Sequence, residues 1–476
     1  MKTDLINLRR KISQTIEFVT GLEEEKMKTI RIGSGAGYAG DRMDPAVELM
    51  EKGNLDYIIF ECLAERTVAI GQQDREREAD LGYNQLLEER MEKILPLVSR
   101  KRFKVITNMG AANPVSAAQV TKRTAQRLGV SGLKIACVTG DDITDRLEKY
   151  WENPVLENGK KLKDMKESLI SANVYMGAEG ITEALKNGAD IVITGRVSDP
   201  ALSIGPLVYE FGWNVEDNPE QMGQAVLIGH LLECAGQVTG GYYADPGYKD
   251  VPDLYKLGFP LTEVSEDGAF TVTKVEGSGG LVSVDTCKEQ MVYEIHDPKA
   301  YLTPDAVADF SHVTFTQEGE NRVRAEHALS HGRPDTLKVS VGYKDCFIGE
   351  GEISYGGGNC LARAQLAADI IEKRVKMTGI KLEEYRTDFI GLNALYRDKI
   401  SGMMNGGGIK EVRLRISGRT KDRRNAEHLA NEVEALYTNG PAGGGGAVKR
   451  VSEIVSVCSV FIPREDVKQT VRYLEV

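Results

Sequence analysis

Three reactive side chains lie in a glycine-rich loop, GSGAGYAGDR, that follows the apolar segment TIRI. The planar guanidinium of Arg42 can hold a carboxylate, and Asp41 beside it can orient that group or carry a proton. The Tyr38 hydroxyl can donate to an oxygen that gains charge during a reaction. The loop glycines let a ligand approach the backbone N–H groups closely, which suits an anion. These glycines are Gly35, Gly37 and Gly40.

The same glycines satisfy the dinucleotide-binding pattern G-x-G-x-x-G, and Glu61 follows about 20 residues later at the end of a predicted strand. In that pattern the helix opens within the glycines, so that its N-terminus faces the pyrophosphate. Here the residues DRMD intervene, and the helix signals fall at Asp44 and Pro45. We therefore favour an active-site loop and keep nicotinamide binding as an alternative. The G-x-x-x-x-G-K-S/T motif for ATP phosphates does not occur in the sequence.

Polar side chains also follow several apolar segments that are predicted to be strands of one parallel sheet. The carboxyl ends of parallel strands meet at one edge of a sheet, and ligands bind there. An arginine with several carboxylates and carboxamides at this edge favours a binding site over plain loops. The residues concerned are Asn108, Asn113, Asp141, Asp142, Arg196 and Asp199.

Two further candidate sites lie later in the chain, one around His230 and one around Asn359. His230 and Glu233 are three residues apart in an apolar helical segment, where they can pair a base with its orienting acid or form a bonded core histidine. Cys234 beside them could be a nucleophile only if a cationic group lowered the pKa of its thiol. We interpret it as a structural cysteine, because a free cysteine usually packs as a small apolar residue. Asn359 follows a glycine triplet and can cap a helix, or the triplet can bind an anion with the help of Arg363.

These residues need a scaffold, and the first half of the chain predicts one. Between residues 28 and 260, apolar strand-like runs alternate with helical segments. Repeated β-α units predict an α/β domain with a mainly parallel sheet. A doubly wound sheet is the first choice and a barrel is the alternative. Before it, residues 1–27 predict a helical arm for packing or dimerisation, unless Met27 is the true start.

The second half of the chain has a different pattern. From residue 261 to residue 476, alternating β-branched segments separated by turns predict an α+β domain rich in antiparallel pairs. Residues 290–296 are assigned to one of these strands, and the last elements predict a β-α-β ending. The expected domains are therefore 28–260 and 261–476, preceded by the arm over residues 1–27.

Composition narrows the class of function. The net charge of −11, without a basic stripe, argues against nucleic acid as the main partner. The apolar runs fall short of the ~20 residues that a membrane helix needs, and the N-terminus has no apolar signal core. Seven cysteines without a CxxC or CxxH pair indicate reduced thiols and no metal site. We expect a cytoplasmic protein without a membrane partner, and we expect a homo-oligomer.

Several segments together resemble the acyclic terpene utilisation family, over nearly the whole chain from about residue 28. They are IRIGSGAGYAGDR, ITGRVSDPAL, GHLLECAGQVTGGYYADPG, SVDTCKEQMVYEIHDP, GEGEISYGGGN and NGPAGGGG. The resemblance implies a place beside enzymes that break down citronellol- and geraniol-type compounds through acyl-CoA intermediates. Some relatives carry a small C-terminal domain, or work beside a separate small protein of that kind. The resemblance assigns no catalytic residues.

The leading prediction is a catabolic enzyme for a small carboxylic acid or its CoA thioester, with lyase- or hydratase-like chemistry. Asp41 or His230 would transfer protons, Arg42 and Arg196 would hold a carboxylate, and glycine-loop amides would stabilise an enolate-like oxygen. CoA is expected only as part of the substrate. The alternatives are a non-catalytic subunit that works with a small companion protein, and a nicotinamide or flavin oxidoreductase.

Overall fold

Short apolar runs form the buried strands of the molecule, as their patterns predict. The segment Tyr57–Phe60 is buried at all four positions, which is typical of a strand covered on both faces. The computed structural model describes residues 27–403 and 408–476. The predicted arm over residues 1–27 lies outside the described residues except for Met27.

The strands of the described residues are numbered in chain order. The first nine are β1 (Thr29–Ala36), β2 (Tyr57–Phe60), β3 (Lys104–Thr107), β4 (Lys134–Thr139), β5 (Leu169–Val174), β6 (Ile191–Thr194), β7 (Pro260–Ser265), β8 (Phe270–Lys274) and β9 (Tyr301–Leu302). The others are β10 (Val307–Asp309), β11 (Thr314–Gly319), β12 (Arg322–Glu326), β13 (Leu329–Ser330), β14 (Thr336–Gly356), β15 (Glu384–Ile390), β16 (Glu411–Thr420), β17 (Gly444–Pro463) and β18 (Thr470–Glu475).

The α-helices are numbered in the same way. The first six are α1 (Asp44–Lys52), α2 (Glu65–Arg77), α3 (Leu87–Lys101), α4 (Pro114–Arg127), α5 (Glu179–Lys186) and α6 (Ala201–Phe211). The others are α7 (Pro219–Glu233), α8 (Val284–Met291), α9 (Cys360–Thr378), α10 (Arg397–Ser401), α11 (Arg423–Glu434) and α12 (Leu436–Asn439). None of the helices in these described ranges is both long and apolar enough to cross a membrane.

The larger sheet is a mixed sheet of ten strands, in the order β11-β12-β8-β7-β1-β2-β3-β6-β4-β18. The central strands β1, β2, β3, β6 and β4 are parallel, and their partners on both sides are antiparallel. The mixed α/β class is therefore confirmed, with a parallel core. The way in which the helices wind around the two faces stays a prediction.

The chain divides into two compact units, each assembled from separate segments. The first unit contains the described residues up to Lys149 together with Ala172–Val339 and Phe461–Val476. Residues near the expected boundary at 260 lie inside this unit, because β7 begins there and pairs with β1, with Thr262 opposite Ile32. The antiparallel strands β7, β8, β11 and β12 thus extend the parallel sheet.

The second unit contains Tyr150–Ser171 and Ser340–Val460. Its sheet has the order β15-β16-β14-β17, and α9 and α11 pack on it through an apolar cluster. Long antiparallel pairing joins β14 to β16, from Phe347 opposite Thr420 to Gly356 opposite Glu411. The helix α11 lies between β16 and β17 in the chain.

Two local predictions differ from the structure. Residues 290–296 do not form a strand, because α8 extends to Met291 and turns follow it. The Ser283 hydroxyl accepts from the Thr286 N–H at 3.2 Å and caps this helix, which a β-branched pattern does not reveal. The helix α2 was not predicted, since its sequence is mostly polar and its buried face is small.

Candidate functional site

The first unit contains a cavity of ≈ 1210 Å³. Seven of the candidate residues from the sequence line it, and they come from the glycine loop, the segment after β6 and the helix α7. They are Gly37, Tyr38, Asp41, Arg42, Asp199, His230 and Glu233. The structure therefore brings the glycine loop, the segment after β6 and the end of α7 together around one cavity, and the remaining predicted residues lie elsewhere.

The glycine loop is held closed by one of its own side chains. The Asp41 carboxylate accepts from the Gly37 N–H at 2.9 Å and from the Arg42 N–H at 2.8 Å. The helix α1 begins only at Asp44, after the glycines, so the loop does not meet the requirement of a dinucleotide fingerprint. Gly37 lies so close to the backbone of Cys234 that an added Cβ would be 2.5 Å from its carbonyl carbon.

The loop after β2 places a buried carboxyl group at the cavity. Glu61 Oε1 accepts from the Leu63 N–H at 2.8 Å and from Asn108 Nδ2 at 3.0 Å. Burial and then the charge of Asp199 raise the pKa of Glu61 to about 8. Asn108 does not line the cavity itself. Its Oδ1 accepts from the Cys62 N–H at 2.7 Å while its Nδ2 donates to Glu61, so its amide group orients the Glu61 carboxyl group.

Arg196 is buried behind the cavity wall and does not line it. Its Nη1 donates to Leu63 O at 2.6 Å and to Asp199 Oδ1 at 2.8 Å. Its Nη2 donates to the Tyr175 hydroxyl, and the guanidinium stacks 3.8 Å from the centroid of that ring. Burial raises the pKa of Asp199, although the Arg196 charge opposes this effect.

Glu65 and Lys338 complete the charged side of the cavity. Lys338 Nζ donates to Glu65 Oε1 at 3.2 Å and lies 4.7 Å from the Tyr175 ring centroid. Burial would raise the pKa of Glu65, but the Arg196 charge and the Tyr175 hydroxyl lower it to about 2. Glu65 is therefore ionised, and it neutralises Lys338.

His230 and Glu233 form a bonded pair at the end of α7. His230 Nδ1 is 2.9 Å from Glu233 Oε1, and its Nε2 donates to the Met291 carbonyl at 3.1 Å. Burial opposes a charge on the ring, but the Glu233 carboxylate raises the pKa of His230 above its ordinary value. Burial raises the pKa of Glu233 to about 7 despite the histidine. The pair therefore retains a proton near neutral pH.

Apolar and aromatic side chains form the remaining walls of the cavity. The aliphatic and phenyl groups come from Leu63, Leu254, Leu257, Phe259, Leu302, Leu337 and Phe461. The tyrosines are Tyr38, Tyr175, Tyr242, Tyr293 and Tyr301. Burial and then the charge of Glu233 raise the pKa of the Cys234 thiol, so this lining cysteine is a protonated thiol. The cavity thus combines a carboxyl-rich region with room for an apolar chain.

The other predicted residues of the first unit have structural contacts. Asn113 caps α4 by accepting from the Ser116 N–H at 3.2 Å. Asp141 accepts from the Arg196 N–H at 2.9 Å and from Asn173 Nδ2 at 2.8 Å, and burial raises its pKa to about 6. An added Cβ on Gly35 would lie 2.5 Å from the Phe60 ring, so this glycine serves packing. These residues and Gly40 do not line the cavity.

Asn359 and Arg363 belong to the second unit and do not line the cavity. Asn359 precedes α9 in a left-handed conformation, at φ 64°, without a side-chain capping bond. Arg363 Nη1 donates to Ala442 O at 2.7 Å, and its Nη2 donates to Gly356 O at 2.5 Å. The arginine therefore ties two glycine-rich turns together through their carbonyl oxygens.

Sequence reasoning did not select four important residues of the cavity as catalytic or binding groups. Glu61 and Glu65 stand in the segment ECLAE at the end of β2, so their position at a strand end was a usable signal. Tyr175 and Lys338 are far apart in the sequence and meet because the Tyr175 N–H donates to Lys338 O at 2.8 Å. No pattern of spacing could have paired them.

Within the described residues, no group of three or more histidine, cysteine, aspartate or glutamate side chains has an arrangement that could hold a metal ion. The carboxyl groups of the cavity have other partners instead, namely backbone N–H groups, Arg196, Lys338 and His230.

The sequence from residue 30 to residue 473 matches a protein family described as acyclic terpene utilisation family protein AtuA. A search of the curated proteins finds no match. A comparison with solved structures aligns the chain with the aspartate kinase of Clostridium acetobutylicum at 10% identity, covering 90% of this chain and 95% of that chain, with a TM-score of 0.17. A likeness at this level supports no conclusion about fold or function.

Proposed function

The chain belongs to the acyclic terpene utilisation family, and from this premise we propose that it is a catabolic enzyme of the lyase or hydratase type. Its substrate would be a small carboxylic acid or the CoA thioester of one, in the breakdown of acyclic terpenes or related branched acyl compounds. A mixed wall of apolar side chains and carboxyl groups around one cavity supports this proposal.

The observation that carries the proposal is a pair of buried carboxyl groups, Glu61 and Glu233, with pKa values raised to about 8 and about 7. The charge of Asp199 contributes to both shifts, so the three acids interact at one site. We call Glu61, Asp199 and Glu233 the acidic cluster. A carboxyl group with a pKa near the working pH can both donate and accept a proton during turnover.

The two hydrogen bonds of the His230 ring determine where the protons of the His230–Glu233 pair lie. The Met291 carbonyl can only accept, so His230 Nε2 is protonated, and Nδ1 shares a second proton with Glu233. Glu233 Oε2 is buried and accepts no hydrogen bond from the part of the chain that the structure describes. Because Glu233 lines the cavity, in the proposal its carboxyl group exchanges the proton with the substrate and His230 sets the charge of the carboxylate.

Glu61 then has the complementary role. In hydration of an α,β-unsaturated acyl group, Glu233 takes a proton from water as the water oxygen bonds to the β-carbon. The carbonyl oxygen gains enolate charge, and protonated Glu61 donates a hydrogen bond to it and then a proton to the α-carbon. Dehydration is the reverse of these steps. Arg196 keeps Asp199 and Glu65 in place, and Asp41 keeps the glycine loop closed.

The order of the strands is consistent with this site. Gly37, Glu61 and Asp199 follow β1, β2 and β6, which are parallel, so their carboxyl ends meet at one edge of the sheet. We propose that the parallel strands are doubly wound, since ligands of such sheets bind at this edge.

The test is turnover of a panel of unsaturated and hydroxylated acyl-CoA thioesters and free acids, followed by exchange of the α-proton in deuterated water. Glu61→Gln and Glu233→Gln keep the shape of the side chain and remove the proton, so we expect rates about 10²- to 10⁴-fold lower. Glu89→Gln changes an exposed glutamate on α3 and should leave the rate unchanged.

Three results would contradict the proposal. Wild-type rates in both glutamine variants would show that these carboxyl groups do not transfer protons. Turnover that needs a small companion protein would indicate that the chain is a subunit that works with that protein. Turnover that needs nicotinamide or flavin would indicate an oxidoreductase.

A further inference from the structure

We propose that the group that reacts in this cavity is an uncharged acyl carbonyl, carried as a thioester, and that free carboxylates bind poorly. This inference rests on the proposed function and narrows its two substrate classes to one. It follows from the charged side chains around the cavity and from the partners that these side chains already have.

Carboxyl groups outnumber cationic groups around the cavity. The carboxyl groups of its lining are Asp41, Glu61, Glu65, Asp199, Glu233 and Glu294. Among the described residues, the cations that line it besides His230 are Arg42 and Lys338. Glu61 holds its proton near neutral pH, so the charge of a free carboxylate would be opposed by ionised neighbours in this set, such as Glu65.

The cationic side chains near the acidic cluster that could offset this charge are engaged by the protein. Lys338 Nζ lies 3.2 Å from the Glu65 carboxylate, and Arg196 donates to Leu63 O, Asp199 and Tyr175 without lining the cavity. Arg42 is exposed, and an ion pair with an exposed arginine is weak. A substrate carboxylate placed at the acidic cluster would therefore be desolvated without a cationic partner.

An uncharged carbonyl group is not repelled by the ionised carboxylates, and its desolvation does not require a cationic partner. Its oxygen can accept a hydrogen bond from a protonated carboxyl group, as an enolate oxygen would during the reaction. A cavity of ≈ 1210 Å³ also exceeds the ~300–1,000 Å³ that usually encloses a small ligand, so it has room for an acyl chain and part of its carrier. The exposed Tyr38 and Arg42 border the same cavity and can contact the carrier.

The experiment compares two probes with the same acyl chain, the octanoyl thioester of N-acetylcysteamine and sodium octanoate, by titration calorimetry on the full-length protein. We expect the thioester to bind at least about tenfold more tightly than octanoate. Octanoate binding as tight as thioester binding, or no binding of either probe, would overturn the inference.

A charge-removing variant tests the cause of the difference. In Asp199→Asn, the amide still accepts from Arg196 but no longer repels an anion, so octanoate should bind several-fold more tightly and the ratio of thioester affinity to octanoate affinity should fall. Asp217→Asn, at an exposed aspartate before α7, should leave both affinities unchanged. If Asp199→Asn does not fold, Glu61→Gln serves the same purpose at pH 9, where wild-type Glu61 is ionised.

The outcomes separate this inference from the proposed function. Preferential thioester binding without α-proton exchange would support the substrate class and contradict the proposed proton transfer. Turnover of a free acid with loss of activity in Glu61→Gln would support the proton transfer and overturn the substrate class.

Discussion

Glu61 and Glu233 show how a common side chain acquires an uncommon property by burial. A carboxyl group loses its hydration inside the protein, so its charged form is disfavoured and its pKa rises. The hydrogen bonds from the Leu63 N–H and from Asn108 stabilise the charged form of Glu61 and so reduce the rise of its pKa, but burial has the larger effect. The sequence pointed to Glu233 as the partner of His230, and it offered Glu61 only as the acid of a nucleotide pattern.

The raised pKa of Glu61 predicts how stability depends on pH. Between about pH 4.5 and pH 8 the folded protein holds a proton on Glu61 that the unfolded chain has lost, so stability falls as the pH rises through this range. Glu61→Gln removes this titration. Relative to the variant, the wild-type protein should lose on the order of 4 kcal/mol of unfolding free energy between pH 5 and pH 9.

Denaturant unfolding of both proteins at several pH values measures the difference. Glu89→Gln should follow the wild-type curve, because Glu89 is exposed on α3. Parallel curves for the wild type and Glu61→Gln would show that Glu61 is ionised in the folded protein at neutral pH.

Arg196 predicts a large loss of stability when its charge is removed. Arg196→Met leaves Asp199 without its 2.8 Å partner and leaves the Leu63 carbonyl without a donor. Breaking a buried pair from one side costs about 3–5 kcal/mol. The double variant Arg196→Met with Asp199→Asn should recover part of this loss, and thermal unfolding of the four proteins measures the coupling. Additive losses would contradict the pairing.

At the scale of elements, the glycine loop owes its shape to packing as much as to ligand binding. Gly37 needs to be small because it lies against the backbone of Cys234 at the end of α7. The loop carboxylate of Asp41 then closes the turn on the Gly37 N–H. The sequence predicted the position of the loop between β1 and α1, but the contact with α7 comes from a distant segment.

The two glycines of this loop predict different effects of the same substitution. In Gly37→Ala the new Cβ would lie 2.5–2.8 Å from backbone atoms of Cys234, so we expect a loss of about 1–3 kcal/mol and weaker thioester binding. In Gly40→Ala the nearest atom is Tyr38 Cε2 at 3.0 Å, on an exposed ring that can move. Thermal unfolding and calorimetry should show little change for Gly40→Ala, and equal losses in both variants would contradict this reading of the packing.

Elements with strong apolar periodicity were predictable, and elements fixed by polar groups were not. The strand β2 is apolar at every position and was predicted, whereas α2 begins with Thr67 Oγ1 accepting from the Ala64 N–H at 2.8 Å. The helix α8 likewise depends on the Ser283 cap. Capping groups add single hydrogen bonds that a hydrophobic pattern does not register.

At the scale of the whole molecule, the residues of the cavity come from segments spread along the chain but lie within one compact unit. The second unit has its own apolar cluster and a buried carboxylate that pairs with partly exposed arginines. Asp388 of β15 is 1% exposed and accepts from Arg386 Nε at 2.8 Å and from Arg415 Nη2 at 2.8 Å.

This arrangement predicts a local effect of Asp388→Asn. Loss of the charge weakens one charge-assisted bond within β15, from Arg386, and the bonds that Arg415 of β16 donates, by about 1–3 kcal/mol in total. Hydrogen exchange should become faster in β15 and β16 and stay unchanged in β1, β2 and β3. Asp369→Asn, at an exposed helical pair, should not alter exchange in either sheet. Equal acceleration in both sheets would show that the units unfold together.

The sequence by itself determined the family, the mixed α/β class, the glycine loop and the polar ends of the parallel strands. These features depend on local composition, on side-chain periodicity and on motifs that are continuous in the chain. Only the tertiary structure decided that Arg196 lies behind the cavity wall, that Glu61 is held uncharged, and that Lys338 meets Tyr175 and Glu65. Burial and pairing set the charge of each of these groups, and both arise from contacts between residues that are distant in sequence.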